Sequence, residues 1–194
     1  MYDFDGTLFR STDKPEWFIN QFRWWGVNEQ SLSPPCVPEN PGPDWWIKPV
    51  VSHAHQDGTD PATLSILVTG RLKSFAPRVY HLLSTIGLKF DFYYFLPGSD
   101  ASVKGYKVDI LTRMLEENPT ITELHLWEDQ NLSHYGSTMK AWAASKGRVL
   151  DVRTHNIRTQ PHDNVCVPSD FPPGAIDQTR VAMLTVQDYK RFLA

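Results

Sequence analysis

The sequence predicts an α/β fold, a doubly wound, Rossmann-like parallel sheet with helices on both faces, and three observations carry that prediction. From residue 64 onward, short apolar runs of strand length alternate with stretches whose apolar residues recur at helical spacing. Polar residues capable of chemistry stand where the runs end: Asp3 and Asp5, Thr69 to Arg71, and Glu128 with Asp129. Open parallel sheets bind ligands at the carboxyl ends of their strands, so these groups are expected to meet in one crevice. The third observation is size. A chain of 194 residues, 41% hydrophobic and 21% charged, fills one core and is too short for two ordinary domains.

The elements follow in order. Only Met1 and Tyr2 precede Asp3, so the strand that delivers it is expected to be stunted. Pro15 to Trp25 opens on a proline suited to a first helical turn and carries Trp17, Phe18, Phe22 and Trp25, the pattern of a short amphipathic helix. Residues 33–44, SPPCVPENPGPD, hold prolines that exclude a regular helix or a central strand, and so form a loop. Leu64 to Val68 reads as a strand and Thr69-Gly70-Arg71 as the turn after it. Phe75, Val79, Leu82, Leu83 and Ile86 mark the next helix. Phe92 to Leu96 is a second strand. A helix over Val108 to Glu117 then stops at Asn118-Pro119. Glu123 to Trp127 is a strand, Tyr135 to Ser145 a helix, and Arg148 to Val152 a last strand. We therefore expect one domain with a cap-type insert at about 13–60 and an unassigned extension at about 153–194.

A formal net charge of −3 and a pI near 6.1 argue against broad, charge-driven nucleic-acid binding. Cys36 and Cys166 show neither CxxC nor Cys/His spacing, which suggests no zinc site and no disulfide framework and reads as a reducing, cytoplasmic compartment. No apolar run approaches the roughly 18 residues of a membrane span, and the N-terminus lacks the pattern of a signal peptide.

In Asp3-Phe4-Asp5-Gly6-Thr7 the two carboxylates stand two residues apart, with a glycine that lets the backbone turn sharply past the strand. One aspartate can attack while its neighbour moves protons. Crowded carboxylates repel one another unless a cation is present, so the arrangement implies a hard divalent metal, and Mg2+ fits best. The tryptophans Trp17, Trp24, Trp25, Trp45 and Trp46 read as core or cap packing sooner than as stacking platforms. His53 and His55 have no further metal-ligand partners nearby and read as surface loop.

Four motifs in order, Asp3-x-Asp5-Gly6-Thr7, Thr69 after an apolar strand, a lysine opening a helix, and an acidic pair after another strand, resemble the haloacid dehalogenase (HAD) superfamily of phosphatases. DFDGTLFRS, the tryptophan-rich segment with SLSPPCVP and DWW, LVTGR, the YK before a helix and LWEDQNLSH resemble more specifically the HAD domain called Swiss Army Knife RNA repair-like, over about residues 2–147. Gln130 stands where that domain usually has arginine, while His134 matches.

The resemblance implies a Mg2+-dependent phosphatase with an aspartyl-phosphate intermediate, acting on phosphorylated nucleic-acid ends in repair or else on a small metabolite, with a catalytically weak HAD-like module that binds phosphate ends as the alternative. Asp3 is the implied nucleophile and Asp5 the general acid and base. Asp3, the Asp5 carbonyl and Asp129 would hold the metal, with Glu128 and His134 in support. Thr7, Thr69, Gly70 and Arg71 would bind the substrate phosphate, and Lys107 would offset charge in the transition state. Lys104 competes for the lysine role, but Tyr106-Lys107 matches the aromatic-lysine pair of the resembled domain, and its distance to the acidic pair resembles that in polynucleotide kinase-phosphatases. Those end-healing enzymes also carry an arginine two residues after the hydroxyl of their second motif, as Arg71 does here, which points to phosphorylated RNA or DNA ends and to fused or associated repair enzymes as partners. The insert between the first two motifs stands where the superfamily places its smaller caps, over the site, where a cap excludes water and selects substrate.

Overall fold

The computed structural model describes residues 1–15, 24–98, 101–157 and 161–163. In chain order the elements are α1 (Trp24–Val27), α2 (Lys48–Asp57), β1 (Ile66–Leu72), α3 (Ala76–Thr85), β2 (Phe92–Leu96), α4 (Val103–Glu117), β3 (Glu123–Glu128), α5 (Leu132–Ser145) and β4 (Asp151–Asn156), with three short 3-10 turns between them. Among the described residues no helix is long and apolar enough to cross a membrane.

β1 pairs in parallel with β2, and β3 with β4. The extended segment around Tyr2 joins the two pairs. Tyr2 N donates to Ile66 O (2.9 Å) and Val68 N to Tyr2 O (2.9 Å) on one side, and Asp3 N donates to Trp127 O (3.0 Å) and Trp127 N to Met1 O (3.0 Å) on the other. The lateral order is therefore β2, β1, the Tyr2 segment, β3, β4, all parallel. Its order reverses at the Tyr2 segment, the position where such sheets leave a crevice for ligands.

Successive side chains of a strand point to opposite faces, and β1 shows it. Leu67 enters one core with Phe4, Phe9, Trp46, Val50 of α2 and Val79 and Leu82 of α3. Ile66 and Val68 enter a second core with Ile110, Leu111 and Met114 of α4 and Tyr135 and Met139 of α5. Much of the expected insert belongs to the first core. Trp45 and Trp46 are 4% and 5% exposed, Phe9 bridges Trp46, and Ile47 N donates to Leu8 O (2.9 Å).

Several boundaries move from those the sequence suggested. Thr69, Gly70 and Arg71 lie inside β1 rather than in a turn after it. Pairing skips from Thr69–Phe95 to Leu72–Leu96, so an irregularity absorbs the turn-like residues without ending the strand. α4 starts at Val103 behind the Ser102 side chain, which accepts from Gly105 N, so Lys104 and Lys107 sit within the helix rather than before it. β4 covers Asp151–Asn156 instead of 148–152. His53 and His55 lie on α2, not on a loop, and the proline at the start of α2 explains why a helix can begin there. Cys36 is buried and disulfide-bonded, against the expectation from the sequence of no disulfide framework. The helix expected over 15–25 lies mostly outside the described residues, as does most of the extension after 153.

Candidate active site

Past the Tyr2 segment the chain turns tightly. Gly6 N donates to Phe9 O (2.8 Å), and Leu8 N and Phe9 N both return to Phe4 O. Gly6 takes φ +68°, and a Cβ placed there would sit 2.5 Å from Asp129 Oδ2. Glycine is thus required twice over, by backbone conformation and by the approach of the acidic loop after β3. The turn presents Asp3 and Asp5 to a cleft of about 580 Å3 lined also by Arg71, Lys107, Glu128 and Asp129.

Lys107 sits at its floor. Its Nζ is 2.8 Å from Asp3 Oδ1 and 2.7 Å from Glu128 Oε2, with all three side chains at or below 10% exposure. Burial works against the ammonium, but the two carboxylates outweigh it and hold Lys107 well above the ordinary lysine value. Burial pushes the Asp3 carboxyl up, with Lys107 opposing. Glu128 is pushed up by burial and then by the charge of Asp3. Asp129 is pushed up to about 6 by the same two causes in the same order.

One oxygen each from Asp3, Glu128 and Asp129 lies within 4.8 Å of the others. The donors are all hard oxygens, their mutual repulsion raises the cost of ionising them together, and the Gly6 cradle leaves Asp129 room to approach. These residues fit a small divalent cation.

Asp5 lies beside this group under different control. Arg71 Nη2 donates to Asp5 Oδ1 (2.6 Å) and Arg71 Nε to Oδ2 (2.9 Å), while Ser11 Oγ also donates to Oδ1. The third arm of the guanidinium, Nη1, donates to Ser31 Oγ at 2.8 Å. The guanidinium fork expected to grip a phosphate is directed at the Asp5 carboxylate.

The structure brings together Asp3, Asp5, Gly70, Arg71, Lys107, Glu128 and Asp129 along the cleft. Lys104 lines its mouth but is exposed, whereas Lys107 is 2% exposed and touches Asp3. Three expected residues stand apart. Thr69 is fully buried and its Oγ1 accepts from Arg71 N (3.2 Å). The Thr7 hydroxyl is buried with no partner among the described residues, and Thr7 does not line the cleft. His134 is exposed on the first turn of α5, its ring edge-on to Tyr135 at 5.7 Å, outside the cleft lining. Sequence reasoning missed Ser11 and Ser31, for which no spacing rule exists. It also gave no separate role to Trp25, whose neighbour Trp24 is fully buried. Trp25 is 39% exposed at the cleft, with its Nε1 anchored on Thr12 O (2.9 Å).

A family model for HAD domain family 1 in Swiss Army Knife RNA repair proteins matches residues 8–164, a span that begins just after the Asp3–Thr7 motif. Comparison with curated proteins and with solved structures gives no match.

Proposed function

With the chain belonging to the HAD domain family 1 of Swiss Army Knife RNA repair proteins, we propose that it is a Mg2+-dependent phosphomonoesterase that works through an aspartyl-phosphate and acts on phosphorylated RNA ends. The observation that carries this reading is the meeting of Asp3, Lys107 and Asp129 at the switch point of the sheet, with Asp5 held alongside. The two-sided helix layers support a doubly wound sheet, and the position of Trp25 at the cleft supports a cap role for part of segment 13–60.

In this mechanism an Asp3 carboxylate oxygen attacks phosphorus, the bond to the leaving oxygen breaks, and Asp5 gives that oxygen its proton. Asp5, now a carboxylate, takes a proton from water as the water attacks phosphorus, and the bond to Asp3 breaks to release inorganic phosphate. Lys107 orients Asp3 and carries a positive charge to the place where phosphoryl charge grows. Asp3 and Asp129 would hold the metal together with the Asp5 carbonyl, and Glu128 would steady Lys107 beside them. Such a cation supplies charge neutralisation and alignment of the phosphoryl group. Of the expected phosphate contacts, the main chain at Gly70 faces the cleft. Trp25 offers an aromatic face to a terminal base, where stacking contributes roughly 1–3 kcal/mol.

A cleft of about 580 Å3 also suits a whole small phosphorylated metabolite, which is the second reading. Mg2+-dependent phosphate release from p-nitrophenyl phosphate, a nucleotide, and 3′- and 5′-phosphorylated oligoribonucleotides separates the two, with Asp3→Asn as the control. Release that needs Asp3 and prefers an oligonucleotide end supports the repair reading. Preference for the nucleotide supports the metabolite, and no release from folded protein with Mg2+ present refutes the phosphatase.

A further inference from the structure

The binding of Arg71 leads from the acid/base residue into the insert. Arg71 is 1% exposed and Ser31 fully buried, and their contact spans the cleft wall from β1 to the 3-10 turn Glu29–Leu32. A guanidinium is planar, so fixing Nη1 on Ser31 fixes the plane in which Nε and Nη2 address Asp5. The two oxygens of Asp5 are left unequal. Among the described residues, Oδ1 accepts from Arg71 Nη2, from Arg71 Nε at 3.2 Å and from Ser11, while Oδ2 accepts only from Arg71 Nε.

We propose that Ser31 and Arg71 form a positioning relay that presents Asp5 Oδ2 as the oxygen that carries the proton, so that the insert contributes to proton transfer as well as covering the cleft. The inference rests on Asp5 being the general acid and base. The chemistry it serves is the P–O cleavage step, in which the proton on Oδ2 passes to the leaving oxygen as phosphorus transfers to Asp3. A displacement of about 1 Å in a reacting group can lower a rate on the order of 100-fold, and loss of Ser31 leaves the guanidinium plane held by Asp5 itself, so a smaller loss is expected.

Phenyl phosphate and p-nitrophenyl phosphate separate proton donation from binding and folding. They are nearly the same size, but the nitro group makes the leaving oxygen a far weaker base that departs without a proton. With the full chain and Mg2+, Ser31→Ala is expected to lower kcat/KM about 10-fold on phenyl phosphate and about 2-fold on p-nitrophenyl phosphate. Arg71→Lys is expected to lower them about 100-fold and less than about 10-fold. Thermal melting monitored by circular dichroism confirms that each variant is folded, and if Arg71→Lys is not, Ser31→Ala decides alone. Equal losses on the two esters, or none on either, overturn the relay and leave the phosphatase reading standing. A wild-type chain inactive on both overturns the two together.

Discussion

Replacing Lys107 with methionine keeps the apolar stem of the side chain and removes its ammonium. In the wild type that ammonium lies 2.8 Å from Asp3 and 2.7 Å from Glu128, and all three groups are almost fully buried. Breaking a buried ion pair by deleting one partner costs about 3–5 kcal/mol, a large share of the roughly 5–15 kcal/mol that keeps a domain folded. Here the cost has a ceiling. Two like charges about 4 Å apart at an effective dielectric near 20 repel by roughly 4 kcal/mol, so a carboxyl takes up a proton instead of bearing the full repulsion. Glu128 is the group to do so, since burial and Asp3 already push it up and Lys107 alone opposes them. Without Lys107 its folded value rises further above the unfolded one, and the stability it contributes when protonated is lost as pH rises. Urea unfolding followed by far-UV circular dichroism, in the absence of divalent metal, is therefore expected to show a deficit of about 3 kcal/mol that is level from about pH 6 to 8 and widens between about pH 9 and 10, where wild-type Glu128, pushed up to about 9, gives up its proton and the variant's does not. Added Mg2+ should recover part of it by taking up the ammonium's charge. A deficit under about 1 kcal/mol that does not grow above about pH 9 would refute the shared buried charge.

Gly6→Ala forces a left-handed backbone on a residue with a Cβ and drives that Cβ against Asp129, so about 1–2 kcal/mol of stability and 10-fold or more in apparent Mg2+ affinity should be lost. Chemical denaturation and Mg2+ titration of phosphate release measure the two, and an unchanged Mg2+ response would separate Asp129 from the metal. His155 stacks on Trp127 at 3.9 Å, and its imidazole is lowered from 6.5 by burial, then by His125 and His53, with Arg153 and the terminal amine adding to the effect. The unfolded chain takes up that proton first, so stability should fall as pH drops below about 6.5. His155→Gln should flatten that limb in melts read by tryptophan fluorescence, and an identical acid limb in the variant would assign the effect elsewhere.

What was readable in the sequence follows from what local patterns record. β2, α3 and β3 are bounded by polar residues and carry clean periodicity, and they appear within a residue or so of expectation. The end of β1 was not readable, because Gly70 and Arg71 carry the chemistry of a turn while an irregular ladder skips them and carries the strand on to Leu72. The start of α4 was hidden because Lys104 and Gly105 are exposed and give no apolar signal, although Ser102 was a legible cap. Once that helix is placed, the two lysines separate: Lys107 shares the buried face of Ile110, Leu111 and Met114, and Lys104 faces water. Asp3, Glu128 and Asp129 were legible as a group because strand ends in a parallel sheet must converge. The pairing of Arg71 with Asp5 and Ser31 was not, since three side chains from segments with no common period meet only in the folded chain.

The Tyr2 segment fills the middle of the sheet, yet its two neighbours in space are Leu67 and Trp127. During synthesis the Tyr2 segment is made well before the second of its two partners. At roughly 5–20 residues per second, on the order of ten seconds pass between the appearance of Tyr2 and that of Trp127. In that interval Tyr2, Phe4 and Leu8, all fully or almost fully buried in the finished core, are without half of their cover. Non-local pairing of this kind slows folding. Transient contacts between the Tyr2 segment and the growing chain would shield these side chains over that interval.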